Sequence, residues 1–272
     1  MSDGAGAPIV VKLGGDVLDG AALATTAADI ARVTATGERV VVVHGGGAQA
    51  TALSERLGLK SVLVGGRRVT DAPTLDVMKM VVAGKLNVDL VTALRAAGVA
   101  ALGLSGTSGV VRARKRPPRV VAGGGDAPVD FGLVGDVVGF DVPLLQALWS
   151  AGYVPVVACL AGDEAGGALN INADVVASQL AAALSARCLI AVTAVGGVRR
   201  DRDDPATRIA RLTVTQARAE IAAGRVKGGM IPKLEESFAP LEAGVGAVHI
   251  VAPGEIAAAL AADGSVGTCL TS

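Results

Sequence analysis

Two lysines and three glycine turns hold most of the chemistry open to this 272-residue sequence. Lys12 follows the apolar run Ile9-Val10-Val11 and directly precedes Leu13-Gly14-Gly15. The run Val40-Val41-Val42-Val43 leads in the same way into His44-Gly45-Gly46-Gly47. Turns without Cβ atoms let several backbone N–H groups converge on one anion, and the second turn feeds a helix whose amino-terminal dipole adds to the attraction. Phosphate is the natural guest, although glycine after a strand is also the ordinary form of a tight strand-to-helix connection. A third turn, Gly228-Gly229, enters a segment carrying Met230 and Lys233. Each lysine is either simply solvated or placed to meet phosphate. In the second case Lys12 and Lys233 would stabilise the charge that spreads over the oxygens of a phosphoryl group in transfer.

Asn170-Ile171-Asn172-Ala173-Asp174 precedes a helical stretch. Asp174 is either a simple N-cap or a carboxylate that holds Lys12 and Lys233 by ion pairing. Arg67 and Arg68 follow Gly65-Gly66, and one of the two guanidiniums could bind a substrate carboxylate bidentately; solvation at the surface is the other reading. Several chemistries are excluded. The chain has no G-x-x-x-x-G-K-[ST], its second glycine turn fails G-x-G-x-x-G at the last position, and it has no G-x-S-x-G elbow. The two histidines, His44 and His249, lack ligand spacing, so no metal centre is expected and His44 is expected to brace its loop.

These residues need a scaffold, and the pattern supplies one. Short β-rich runs alternate with longer Ala- and Leu-rich segments, as in a parallel sheet covered by helices. Strands are expected at 9–11, 40–43, 101–104, 154–158, 189–192 and 247–251. Helices are expected at 21–36, 49–57, 74–97, 142–150, 174–184, 215–224 and 230–243. Four consecutive valines require burial on both faces, hence a central strand. Between Val110 and Asp136 the pattern breaks around Arg112, Arg114, Lys115, Arg116 and Arg119, with a β-like segment at 129–138. This is either a hairpin over the working side of the sheet or a solvated basic loop. A soft boundary near residue 184 divides the chain into lobes 1–184 and 185–272, with a two-substrate cleft between them.

Composition narrows the partners. Hydrophobic residues make up 51% and charged residues 18%, which excludes a disordered chain, and the net charge of zero projects no field toward a polyanion. With so few aromatic side chains (Phe131, Phe140, Trp149, Tyr153, Phe238) to stack on bases, nucleic acid is not an expected partner. Cys159, Cys188 and Cys269 lie in or beside apolar runs and read as buried, reduced thiols. With no leader and no membrane span legible, the expected compartment is the cytoplasm.

Taken in order, Lys12-Leu13-Gly14-Gly15, His44-Gly45-Gly46-Gly47, Arg68-Val69-Thr70-Asp71, Asn170-Ile171-Asn172-Ala173-Asp174 and Gly229-Met230-Ile231-Pro232-Lys233 resemble the signature of the amino acid kinase family. Within it, the resemblance is strongest to members that phosphorylate N-acetyl-L-glutamate, and it covers essentially the whole chain. It implies a three-layer αβα sandwich with a mainly parallel central sheet, an N-terminal lobe for the acyl amino acid and a C-terminal lobe for ATP. The implied reaction is transfer from ATP with Mg2+ to the γ-carboxylate, in arginine biosynthesis. Lys12 and Lys233 would be catalytic with Asp174 orienting both. Gly14, Gly15, Gly46 and Gly47 would donate N–H groups, and Arg68 and Asn170 would hold the α-carboxylate. Thr193, Gly229 and Met230 would fall on the nucleotide side.

The same resemblance leaves two alternatives: a kinase for a neighbouring carboxylate such as acetylaminoadipate, and a non-catalytic effector-binding protein. The chain departs from the pattern at Asp16, where many members have Ser, at Ala194, where most have Asp, and at Ala48, where Pro is frequent. A carboxylate at 16 would repel a bound phosphate unless it turns away. Arginine-inhibited relatives carry a helix before the first strand. Here that strand starts near Pro8, so a homodimer without arginine regulation is expected.

Overall fold

Strands whose every side chain is buried form the centre of the molecule, a computed structural model describing residues 6–121, 124–201, 204–226, 228 and 230–272. In the first half, strands β1 (Ile9–Leu13), β2 (Val40–His44), β3 (Leu63–Val64), β4 (Arg67–Arg68) and β5 (Ala101–Ser105) alternate with helices α1 (Gly20–Ala35), α2 (Gly47–Arg56), α3 (Ala72–Met78) and α4 (Asn87–Ala96). Next come β6 (Val111–Lys115), β7 (Gly135–Phe140), α5 (Val142–Ser150), β8 (Val154–Ala158), β9 (Leu160–Gly162), β10 (Ala168–Asn170) and α6 (Ala173–Ala183). The chain ends with β11 (Cys188–Val192), β12 (Arg211–Thr213), α7 (Val214–Ala222), α8 (Met230–Glu242), β13 (Ala247–Val251), α9 (Ile256–Ala261) and β14 (Thr268–Thr271).

Eight strands form one sheet in the order β12-β14-β13-β11-β1-β2-β8-β5. The six strands from β13 to β5 are parallel, while β14 runs antiparallel to β13 and β12 follows β14. Side chains alternate between faces along a strand, so complete burial of β1, β2, β8 and β13 means that helices cover both faces. Helix α1 packs on α4 and α9, and α8 packs on α6 and α7. A four-stranded sheet, β10-β9-β6-β7, springs from the carboxyl end of the large one, since only Cys159 separates β8 from β9. Among the described residues, no helix is long and apolar enough to cross a membrane.

All six expected strands lie in the large sheet. The expectation omitted the edge strand β12, its neighbour β14 and helix α9, which are short and lack a long apolar run. The helix expected at 74–97 begins at Ala72 behind an Asp71 cap and is interrupted by a π-helical segment, Lys79–Leu86. In the basic stretch, β6 and β7 are an antiparallel pair, as a hairpin reading requires; the β-like segment falls at 135–140 rather than 129–138, since Gly132 is taken up bridging Thr70. Arg116 is buried and ion-paired to Asp136 at 2.8 Å, whereas Arg112, Arg114 and Arg119 are exposed. All three cysteines are buried and free.

Candidate active site

Strand β1 lies between β2 on one side and β11 on the other, so the chain reverses its direction of spread across the sheet at this point. In open α/β sheets, the crevice outside the carboxyl ends of the strands at such a switch collects ligands. Both glycine turns are there. Gly14 donates its amide to the carbonyl of Val192 at 3.3 Å, and Gly45 donates to Leu13 at 3.1 Å. Those two amides are committed to joining strands, which corrects the expectation that Gly14 offers an N–H to a ligand. The amides of Gly15, Gly46 and Gly47 have no hydrogen-bond partner among the described residues. Gly47 opens α2, so the unpaired donors of that helix terminus point outward with them.

The turns are locked together by groups that local pattern did not reveal. Gln49 Nε2 donates to the Gly15 carbonyl at 2.7 Å, tying one glycine turn to the other. His44 is fully buried: its Nδ1–H donates to the Gly45 carbonyl at 3.0 Å, and its Nε2 accepts from Asn87 Nδ2 at 3.0 Å. Burial pushes the pKa of this imidazole down to about 4, so it is a neutral buttress rather than an acid. Gly46 is pressed against Leu86 and Val82 of the π-helical segment, where any Cβ would collide.

A cleft of about 270 Å³ opens over the turns. It is lined by Lys12, Gly14, Gly15, Gly46, Gly47, Arg68, Asn170, Asp174 and Lys233, together with Asp16, Met78 and Cys159. Lys12 comes from the rigid end of β1 and its Nζ lies 2.6 Å from Asp174 Oδ1. Asp174 is not the N-cap of α6. Asn172 caps that helix by accepting from the Asp174 amide at 2.8 Å, which frees the Asp174 carboxylate for Lys12.

Lys233 enters from the first turns of α8, which docks on α6 with Ser178 Oγ donating to the Glu236 carbonyl at 2.7 Å. Burial, and then the neighbouring Lys12 charge, pulls the Lys233 pKa below the usual lysine value, opposed by Asp174 and Asp16. Asp174 acts on Lys233 through this field and makes no ion pair with it, so the expectation that it pairs with both lysines holds for Lys12 alone.

Arg68 is half-buried at the rim. Its guanidinium donates to Ser61 Oγ at 2.9 Å, to the Gly47 carbonyl at 2.9 Å and to Thr51 Oγ1 at 2.6 Å, which fixes its plane beside α2. Asn170 Nδ2 donates to the buried Thr70 Oγ1 at 3.1 Å. Asp16 stays beside the glycine nest at the edge of the cleft, with its Oδ2 accepting from the Ala194 amide at 2.9 Å, so two of the three departures from the family pattern meet each other. Cys159 is no nucleophile, because burial pushes its thiol up to about 12.

Two expected nucleotide-side residues, Thr193 and Met230, do not line this cleft. Thr193 is buried in the turn after β11, where its Oγ1 accepts from the Gly196 amide at 3.2 Å. Met230 packs against the core, and Gly229 lies outside the described residues. The arrangement as a whole is an anion cradle: unpaired amides, a helix terminus and two ammonium groups, one of them balanced by a carboxylate.

Comparison with known proteins identifies the family. The family model described as "Amino acid kinase family" matches residues 7–252. An acetylglutamate kinase of Sorangium cellulosum is 57% identical over 267 residues, covering 97% of this chain and 94% of its own. One from Anaeromyxobacter dehalogenans is 54% identical over 266 residues, covering 96% and 98%. The crystal structure of smu.665 from Streptococcus mutans superposes with a TM-score of 0.78 at 28% identity, covering 97% of this chain and 98% of that one. The chain belongs to the amino acid kinase family.

Proposed function

We propose that this protein transfers the γ-phosphoryl group of ATP to the γ-carboxylate of N-acetyl-L-glutamate, giving ADP and N-acetylglutamyl phosphate in arginine biosynthesis. The observation that carries the reading is the convergence of Lys12 and Lys233 on one amide-lined cleft, in a chain 57% identical to an acetylglutamate kinase. The acceptor's own carboxylate oxygen attacks phosphorus as the bond to the ADP oxygen breaks, so no protein base is needed. Positioning and charge stabilisation supply the catalysis. Lys12 and Lys233 face the oxygens that gain charge, and the amides of Gly15, Gly46 and Gly47 donate to them. Arg68 and Asn170 hold the α-carboxylate.

In this reading residues 1–184 bind the acyl amino acid and residues 185–272 bind ATP, with Thr193, Gly229 and Met230 on the nucleotide side. Mg2+ arriving with ATP would neutralise its polyphosphate. Asp174 is engaged by Lys12 and Asp16 by the Ala194 amide, which fits an ion held mostly by phosphate and water. The enzyme acts as a cytoplasmic homodimer, a state that light scattering reads directly.

The test is ADP release with N-acetylglutamate, with acetylaminoadipate and with no acceptor, repeated for Lys12→Ala and Lys233→Ala. Acetylglutamate should be preferred, though one methylene contributes only about 1–3 kcal/mol of discrimination. Each lysine variant should lose about 2.7–4 kcal/mol of transition-state stabilisation, as for the loss of one oxyanion donor. Absence of turnover with every acceptor would replace the kinase by an effector-binding protein.

A further inference from the structure

Strand β13 is aliphatic except for His249 at its middle, and antiparallel β14 sets Cys269 directly opposite it. Residues paired in this way project from the same face of the sheet. The turn after α9 brings in Asp263, whose carbonyl is gripped by the Arg211 guanidinium through Nε at 3.1 Å and Nη2 at 2.8 Å. Its carboxylate then faces His249 Nε2 at 3.7 Å. One ring nitrogen of His249, the Cys269 sulfur and one Asp263 oxygen all lie within 4.8 Å of one another. None of the three lines the cleft.

We propose that His249, Asp263 and Cys269 form a separate binding site for Zn2+. Imidazole, thiolate and carboxylate together suit zinc, whereas Mg2+ and Ca2+ take oxygen ligands. Metal–ligand distances of about 2.0–2.3 Å in a tetrahedron set ligand–ligand separations of about 3.3–3.8 Å. Closing the cluster therefore takes about an ångström, and Asp263, on an exposed turn, can supply it. His249 is 3% exposed and its Nδ1 has no hydrogen-bond partner, while Nε2 has only the loose approach to Asp263. A buried imidazole whose Nδ1 has no partner among the described residues calls for a further group beside it, and a bound ion is one.

Binding exchanges the Cys269 S–H proton, released to solvent, for a sulfur–zinc bond. The two anionic ligands neutralise the dication, and the exposed side of Asp263 leaves the fourth position to water. The bound ion would pin the turn after α9 and the C-terminal strand to the sheet. Its effect is therefore on stability rather than on phosphoryl transfer.

The experiment uses the full chain freed of metal by chelation, titrated with Zn2+ alone against a chromophoric chelator and, in parallel, with Co2+. The expected result is one Zn2+ per chain, a raised Tm with zinc, and a near-ultraviolet thiolate-to-cobalt band. Asp263→Asn, an exposed substitution, should leave the metal-free Tm unchanged and weaken zinc binding at least tenfold; Cys269→Ser should abolish the cobalt band. Substoichiometric binding, or binding and Tm shift unaltered in both variants, would overturn the proposal.

Discussion

Replacing Asp174 by Asn keeps the shape of the cleft and removes one charge. The carboxylate lies 2.6 Å from Lys12 Nζ, and the lysine side chain is only 6% exposed, so the substitution strands a buried ammonium. Breaking a fully buried pair costs about 3–5 kcal/mol. The Asp174 side chain is 29% exposed, so solvent screens part of the interaction and a loss of about 1–3 kcal/mol is expected, a fall of several degrees in Tm. Catalysis should suffer more. Asp174 is one of two groups that raise the proton affinity of Lys233 against burial and the Lys12 charge, so Asp174→Asn would push that lysine further toward its neutral form. With Lys12 no longer held in place, kcat should fall by about 100-fold, and the deficit should be larger at high pH than at low pH, in line with the lowered Lys233 pKa. A coupled ADP-release assay from pH 6 to 9, with thermal unfolding in parallel, reads both effects. Parent-like kcat at every pH with an unchanged Tm would refute the reasoning.

Two further perturbations test the supports beneath the cleft. His44 has a folded pKa of about 4 against 6.5 unperturbed, so the unfolded chain binds this proton first as pH falls. Stability from this group is complete above pH 6.5 and declines from there to about pH 4, by about 3 kcal/mol in all; denaturant titrations across that range should lose this slope in His44→Asn. Gly46→Ala would drive a methyl group into Leu86 and to 3.3 Å from Val82 Cγ2, an overpacking cost of about 1–3 kcal/mol, with kcat reduced because the amide nest shifts.

The strands and helices that carry the site were legible because burial leaves a local trace. Four valines in a row mark a strand covered on both faces, and the capping residue types before α6 mark a helix start, although the cap proves to be Asn172 rather than Asp174. The glycine turns and both lysines were visible for the same reason, as residues at the ends of such elements. Which glycine amides stay open was not: Gly14 and Gly15 are neighbours of the same type, and only the approach of Val192 from β11 consumes one and spares the other. Gln49 and Asn87 likewise carry no local signal, since their roles depend on which turn or histidine the fold brings to them.

Side-chain periodicity records whether a position is buried, which is a property of a short stretch of chain. Partnership across strands depends on sheet order and register, which no stretch contains. Thus the chemistry at Lys12 and Lys233 could be read from their neighbours, but their meeting in one cleft required the strand reversal at β1 and the docking of α8 on α6. The pairing of Asp16 with Ala194, and of His249 with Cys269, belongs wholly to that second category, because antiparallel addition of β14 or a turn from a distant strand creates neighbours that spacing along the chain never announces.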